Sequence, residues 1–132
     1  MSLTGKVAVI TGGGQGIGKA IAHAFLKKSM NVVIAEHDKG AGKETEVEYG
    51  EIGRILFIPT DISKETDVKR CMKETIKKLG RLDVLINNAA ISINKPISRL
   101  TLSEWNRIIA VNLTGAFLCC KYAAPHIKKQ PV

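Results

Sequence analysis

The segment Thr11-Gly-Gly-Gly-Gln-Gly-Ile-Gly18 concentrates the chemistry of this 132-residue chain. Gly12, Gly16 and Gly18 stand in a GxxxGxG spacing, whereas the general dinucleotide spacing GxGxxG fits nowhere in the segment. A glycine at the first position permits a tight turn out of a strand. The second lets backbone approach a diphosphate, and the third allows close helix–strand packing. A helix opening near Gly16 would aim free N–H groups and the positive end of its dipole at that anion, with Gln15 and Ile17 inside the loop. Glu36 follows 18 residues after Gly18, where a carboxylate accepts hydrogen bonds from an adenosine ribose diol. The same charge repels a 2′-phosphate, so NAD is expected over NADP, with His37 and Lys39 near enough to soften the preference. Asp61, in Pro59-Thr-Asp-Ile62, is placed to accept a hydrogen bond from an adenine amino group. A carboxylate ahead of a helix N-terminus is also common for dipole reasons alone.

Such a site needs strands that end together, and the hydrophobic pattern supplies them. Val7–Ile10, Val32–Ala35, Ile55–Ile58 and Val84–Ile86 are short, wholly apolar runs, the signature of buried parallel strands. Ile17, Ala20, Ile21, Ala24 and Phe25 recur at helical spacing after the first run. Residues 38–49 are mostly polar and charged and predict an exposed helix or loop. Ser63 reads as the N-cap of the next helix, whose apolar face runs through Val68, Cys71, Met72, Thr75, Ile76 and Leu79 to a Gly80 C-cap. Thr101-Leu-Ser-Glu104 predicts a capping box. The helix it opens carries Trp105, Ile108, Ile109, Leu113, Ala116, Phe117 and Cys120, with Val111 and Leu118 on other faces. Apolar on most sides, it is expected to be buried or to pack on a second subunit. Strands alternating with crossover helices imply an α/β fold, a Rossmann-type doubly wound parallel sheet with ligands at the carboxyl ends of its strands. The expected strand order is 3-2-1-4.

Composition narrows the function classes. The chain is 45% hydrophobic and 24% charged, ordinary for a globular domain. Three cysteines, two of them adjacent, make no disulfide framework and fit a reducing, cytoplasmic setting. Cys119 and Cys120 point about 100° apart on a helix and read as buried small hydrophobes. No metal site is expected, because Glu36-His37-Asp38 are adjacent residues that rarely converge on one ion, and His23 and His126 have no partner ligands at metal spacing. The longest uncharged stretch near the C-terminal end, Ile108–Cys120, is 13 residues, too short to span a bilayer. The net charge of +8 is lopsided: residues 1–60 carry 7 Lys/Arg and 6 Asp/Glu, residues 61–132 carry 13 and 6. That asymmetry admits an anion- or nucleic-acid-binding module. However, Lys27-Lys28, Lys77-Lys78 and Lys128-Lys129 fall at expected helix ends, where the dipole favours cations. Aromatics, at 5%, are not interleaved with basic residues as stacking on nucleic acid requires.

Four motifs in order, Thr11–Gly18, Asp61-Ile62, Asn87-Asn-Ala-Ala90 and Val111-Asn-Leu-Thr-Gly115, resemble those of the classical short-chain dehydrogenase/reductase family. The resemblance implies an oxidoreductase that transfers hydride between NAD(H) and an alcohol or carbonyl substrate. It assigns Asp61 and Ile62 to the adenine, Asn88 and Ala89 to the wall beside the cofactor ribose, and Gln15 to the NAD-using branch. Asn112 becomes the asparagine that helps order a proton-relay water. Ala90 replaces the family's usual glycine. The resemblance also implies a Ser and a Tyr-x-x-x-Lys as the remaining catalytic residues. Here Tyr49 is followed at +4 by Gly53 and Tyr122 by His126. The expectation is therefore a partial NAD(P)-binding Rossmann domain over residues 1–132, cut after the fourth strand and its following helix. An open fourth strand and an apolar helix predict a homo-oligomer. A non-catalytic NAD- or adenine-nucleotide-binding remnant is the rival reading.

Overall fold

The computed structural model describes residues 2–127 and Lys129. Four parallel strands, β1 (Val7–Thr11), β2 (Asn31–Glu36), β3 (Ile55–Pro59) and β4 (Val84–Ile86), form one sheet in the order β3-β2-β1-β4. Every residue of β1 is buried. Its run of apolar residues conceals a period of two. Val9 lies in one core layer with Val33 and Ala35, and Ile10 lies in the other with Val32 and Ile34. Helices α1 (Gly16–Leu26) and α2 (Lys39–Tyr49) cover the Ile10 face through Ala22, Leu26 and Tyr49. Helices α3 (Glu65–Leu79) and α5 (Ala116–Ile127) cover the Val9 face through Val68, Cys71, Met72, Leu118, Cys119 and Ala123. The result is the expected α/β layering, with helices on both faces of a parallel sheet.

Among the described residues β4 pairs only with β1, and its three residues are half-buried. Its start is stitched to β1 by a charged clasp. The Val7 N–H donates to Asp83 Oδ2 at 2.8 Å, and Arg81 donates to both carboxylate oxygens at 2.8 and 2.7 Å. The Arg81 guanidinium holds the Asp83 carboxyl below its ordinary value; burial opposes this, and the Val7 amide adds to it.

Four details differ from the expectation. The segment 38–49 is Asp38 as N-cap followed by helix α2, which has a buried side formed by Gly42 and Thr45. The N-cap of α3 is Lys64, not Ser63; the Ser63 hydroxyl turns back to donate to Asp61 Oδ1 at 2.6 Å instead. Lys27 is the C-cap of α1 and Lys28 follows it, just past the last turn, while Lys77 and Lys78 do occupy the last turn of α3. Lys128 lies outside the described residues. The long C-terminal helix is interrupted: α4 (Leu102–Ile109) passes through a π-helical turn at Ala110–Gly115 before α5. That extra residue per turn shifts the apolar stripe. Leu113 and Phe117 are consequently exposed, and so is Cys120, whereas Cys119 is buried; Trp105, ahead of the turn, is exposed as well. Burial pushes the Cys71 thiol up to about 11 and that of Cys119 to about 12, so both stay protonated at neutral pH. The continuous run Leu102–Ile127 is 26 residues, long and apolar enough to cross a bilayer by length and composition, twice the 13-residue stretch read from charge spacing. One of its faces packs into the core through Leu118, Cys119 and Ala123.

Candidate functional site

A cleft of about 310 Å³ opens at the carboxyl ends of the strands. Each strand contributes its following loop: Gly12 and Gln15 after β1, Glu36 to Asp38 after β2, Thr60 to Ile62 after β3 and Asn88 to Ile91 after β4. Arg107 and Val111 close it from the α4 side. Seven residues read from sequence thus converge there: Gly12, Gln15, Glu36, Asp61, Ile62, Asn88 and Ala89. Gly16, Ile17 and Gly18 form the first turn of α1 beside the cleft, with Ile17 exposed.

The loop after β1 is built by two positive φ angles, +66° at Gly12 and +56° at Gly16, a region where a side chain is strained. Gly18 serves packing instead. A Cβ there would stand 2.3 Å from the Gly12 carbonyl oxygen and 2.5 Å from Asn88 Nδ2. Asn88 is the suture: its side-chain amide donates to the Thr11 and Gly12 carbonyls at 3.0 and 3.2 Å. The Asn88 and Ala89 N–H groups both donate to Thr11 Oγ1 at 3.0 Å. These bonds lock the end of β4 against the end of β1.

The N-terminus of α1 is open. Its N-cap, Gln15, offers no side-chain cap, and no acidic residue occupies the first turn. The first-turn N–H groups and the positive dipole end therefore remain available to an anion.

Three carboxylate residues, Glu36, Asp38 and Asp61, line the cleft, and Asp38 is spent on capping α2. Glu36 is 6% exposed. Its Oε1 accepts from the Gly14 N–H at 3.0 Å, and its Oε2 from the His37 and Asp38 N–H groups at 2.9 and 3.2 Å. A carboxylate has about four acceptor positions, so one remains for a ribose hydroxyl. A two-pronged grip on a diol would displace a backbone donor. Asp61 accepts from the Ser63 N–H at 3.0 Å as well as from its hydroxyl. Burial opposes ionisation of Asp61, but the Ser63 bonds and the nearby His37 and Lys64 more than offset it and hold the carboxyl below its ordinary value. Asp61 is thus an ionised acceptor at neutral pH.

Asn112 does not line the cleft. Its Oδ1 accepts from the Ile91 N–H and its Nδ2 donates to the Ile91 carbonyl, each at 2.8 Å. In this structure its side chain holds the loop after β4. Three residues have structural roles here that the sequence reading did not assign to them. Gly13 abuts Ile34, where a Cβ would come within 2.5 Å of Cγ2. Asp38 caps α2 by accepting from the Ala41 N–H at 3.0 Å, a signal readable from an Asp ahead of a helical segment. Thr45 reaches the loop from the middle of α2.

A family model described as short chain dehydrogenase matches residues 6–132. The chain belongs to this family. An "Uncharacterized oxidoreductase" of Thermotoga maritima is 48% identical over 129 residues, covering 97% of this chain and 50% of its own length. Glucose 1-dehydrogenase 2 of Bacillus subtilis is 37% identical, covering 98% of this chain and 52% of its own. A crystal structure of a 3-ketoacyl-(acyl-carrier-protein) reductase from Brucella melitensis complexed with NADH superposes with a TM-score of 0.90 at 38% identity, over 97% of this chain and 52% of the other. The chain spans about half the length of these relatives. Its sequence and its fold are those of a short-chain dehydrogenase.

Proposed function

We propose that this chain is the cofactor-binding half of an NAD-dependent oxidoreductase that moves a hydride between NAD(H) and an alcohol or carbonyl substrate. One observation carries the proposal: the uncapped start of α1, the buried Glu36 and the ionised Asp61 meet around a single cleft. A diphosphate would take the α1 N–H groups, a ribose hydroxyl the remaining Glu36 position, and an adenine amino group Asp61, beside Ile62, with Asn88 and Ala89 at the second ribose. The cofactor supplies the hydride chemistry; this chain supplies grip and orientation. The preference for NAD rests on Glu36, whose carboxylate, holding a ribose hydroxyl at the end of β2, would repel a 2′-phosphate there. The 132 residues contain no Tyr-x-x-x-Lys. On its own the chain is therefore expected to bind the nucleotide without turning over, as a non-catalytic nucleotide-binding module.

We further place it in the cytoplasm, with a small-molecule substrate in the whole enzyme and with neither nucleic acid nor membrane as a partner. The exposed Trp105, Leu113 and Phe117 face is assigned to a second copy of the chain. Fluorescence titration tests the central claim: NADH should bind at least about tenfold more tightly than NADPH, a difference of about 1.4 kcal/mol. Equal affinities would remove Glu36 from the choice of cofactor. Turnover of NAD with any alcohol by the 132-residue chain would overturn the non-catalytic assignment.

A further inference from the structure

The Gly14 residue is held on both sides by side chains from elsewhere in the fold. Its N–H donates to Glu36 Oε1 at 3.0 Å, and its carbonyl accepts from Thr45 Oγ1 at 2.8 Å. Thr45 is fully buried on α2, and Glu36 nearly so at the end of β2. The approach is close: a Cβ on Gly14 would lie 2.8 Å from Glu36 Oε1 and 3.0 Å from the Gly42 nitrogen. Helix α2 is itself tied to α1 by Lys19 and Glu48, at 2.5 Å.

Peptide planarity turns these two bonds into a constraint on the loop. In a trans peptide the N–H lies antiparallel to the carbonyl of the same unit. Thr45 draws the Gly14 carbonyl toward α2, so the Gln15 N–H of that peptide unit is turned the opposite way. Glu36 does the same for the preceding unit. Two successive peptide planes are thereby fixed just ahead of the open α1 N-terminus. Gln15 itself carries no side-chain cap that would fix this geometry from within.

We propose that Thr45 is a positioning residue for the diphosphate-binding loop, acting with Glu36 through Gly14. This rests on the nucleotide-binding reading above and extends it to a helix that does not line the cleft at Thr45. Thr45→Val keeps the shape but removes the donor, and the buried Gly14 carbonyl loses its partner with no route to water. Thr45→Ser keeps the donor. Thr45→Ala removes the donor and leaves room for a water, providing a second variant should Val not fold.

The experiment uses the 132-residue chain, with NADH, ADP and adenosine titrated in parallel and the backbone amides of residues 13–17 followed by NMR hydrogen exchange. Thr45→Val should weaken NADH and ADP by about tenfold, in line with loss of one buried hydrogen bond. Adenosine, which has no diphosphate, should change less than twofold, and Thr45→Ser should restore the parent values. The loop amides should exchange faster in Thr45→Val while those of β1 and β2 do not. Unchanged loop exchange, or an equal loss for adenosine and ADP, overturns the proposal. Should the parent chain bind neither NADH nor ADP, the nucleotide-binding reading falls. Faster loop exchange in the Val variant would still support the clamp, and unchanged exchange would sink it too.

Discussion

Helices α1 and α4 treat their first-turn N–H groups in opposite ways. At α4 the chain seals its own helix end. The Thr101 hydroxyl accepts from the Glu104 N–H at 3.1 Å, and the Glu104 carboxylate accepts from the Thr101 N–H at 3.0 Å. At α1 the N-cap is a glutamine with no cap bond, preceded by glycines and followed by no acidic residue in the first turn. A sealed end stabilises the helix by about 1 kcal/mol and binds nothing. An open end forgoes that stabilisation and leaves a positive pole facing the cleft. The scaffolding differs accordingly. The α4 cap is built from residues three apart in sequence. The α1 end is shaped by residues brought from β2, α2 and the loop after β4: Glu36, Thr45 and Asn88. Long-range hydrogen bonds thus shape the start of α1, where the local sequence supplies no cap.

The strongest way to break this contrast is at Gly18. Gly18→Ala places a Cβ inside contact distance of the Gly12 carbonyl and the Asn88 amide. The expected cost is about 3 kcal/mol of folding stability, from overpacking against backbone, with NADH binding lost. Urea denaturation and NADH titration together check it; a variant of parental stability and affinity would show that the loop yields easily and needs no long-range support.

Next in size is Asp83, at the opposite end of the sheet from the cleft. Asp83→Asn loses the charged bonds to Arg81 and weakens the one to Val7, at about 2 kcal/mol, and leaves NADH affinity within about twofold. The same clasp sets a pH window. The Asp83 carboxyl is held below its ordinary value in the folded chain. Its contribution is therefore complete above the unfolded carboxylate value of about 4. It is lost as pH falls through the lower folded value. Acid unfolding of the Asn variant should be shallower than that of the parent below about pH 4; parallel curves would exclude Asp83 as a source of the acid sensitivity.

Much of this was legible in the sequence, for physical reasons. Val7–Ile10 and Val32–Ala35 are covered on both faces, which demands continuous apolar runs, and such runs bounded by glycine are hard to mistake. The GxxxGxG spacing located the loop because positive φ at Gly12 and Gly16, and close packing at Gly18, exclude other residues. Helix α2 was obscure for the converse reason. Its buried side is made of Gly42, against which the Phe57 ring packs, and Thr45, so no large apolar residues recur at helical spacing. Ser63 looked like a cap because a hydroxyl ahead of a helix is ambiguous: here it serves Asp61, two residues back. The π turn at Ala110–Gly115 is invisible to a 3.6-residue period, which reads Leu113, Phe117 and Cys120 as part of a helix either buried or packed on a second subunit; all three are exposed in this chain.

The smallest effects are the most diagnostic, because they exchange the two helix ends. Thr101→Ala opens α4 and should cost about 1 kcal/mol, while NADH affinity stays within about twofold. Gln15→Asp closes α1. Gln15 already has the extended backbone of an N-cap, at φ −156° and ψ 169°, so an aspartate there needs no rearrangement to accept a first-turn N–H. That substitution should raise stability by up to about 1 kcal/mol. It should also weaken NADH by at least about tenfold, since the carboxylate takes the N–H group and places a negative charge beside the diphosphate. Opposite signs in stability and affinity at position 15, with a stability loss alone at position 101, would establish that the open end is kept for an anion. If Gln15→Asp instead gains stability with no loss of NADH affinity, the diphosphate does not sit at the start of α1, and the two helix ends differ only in how they were capped.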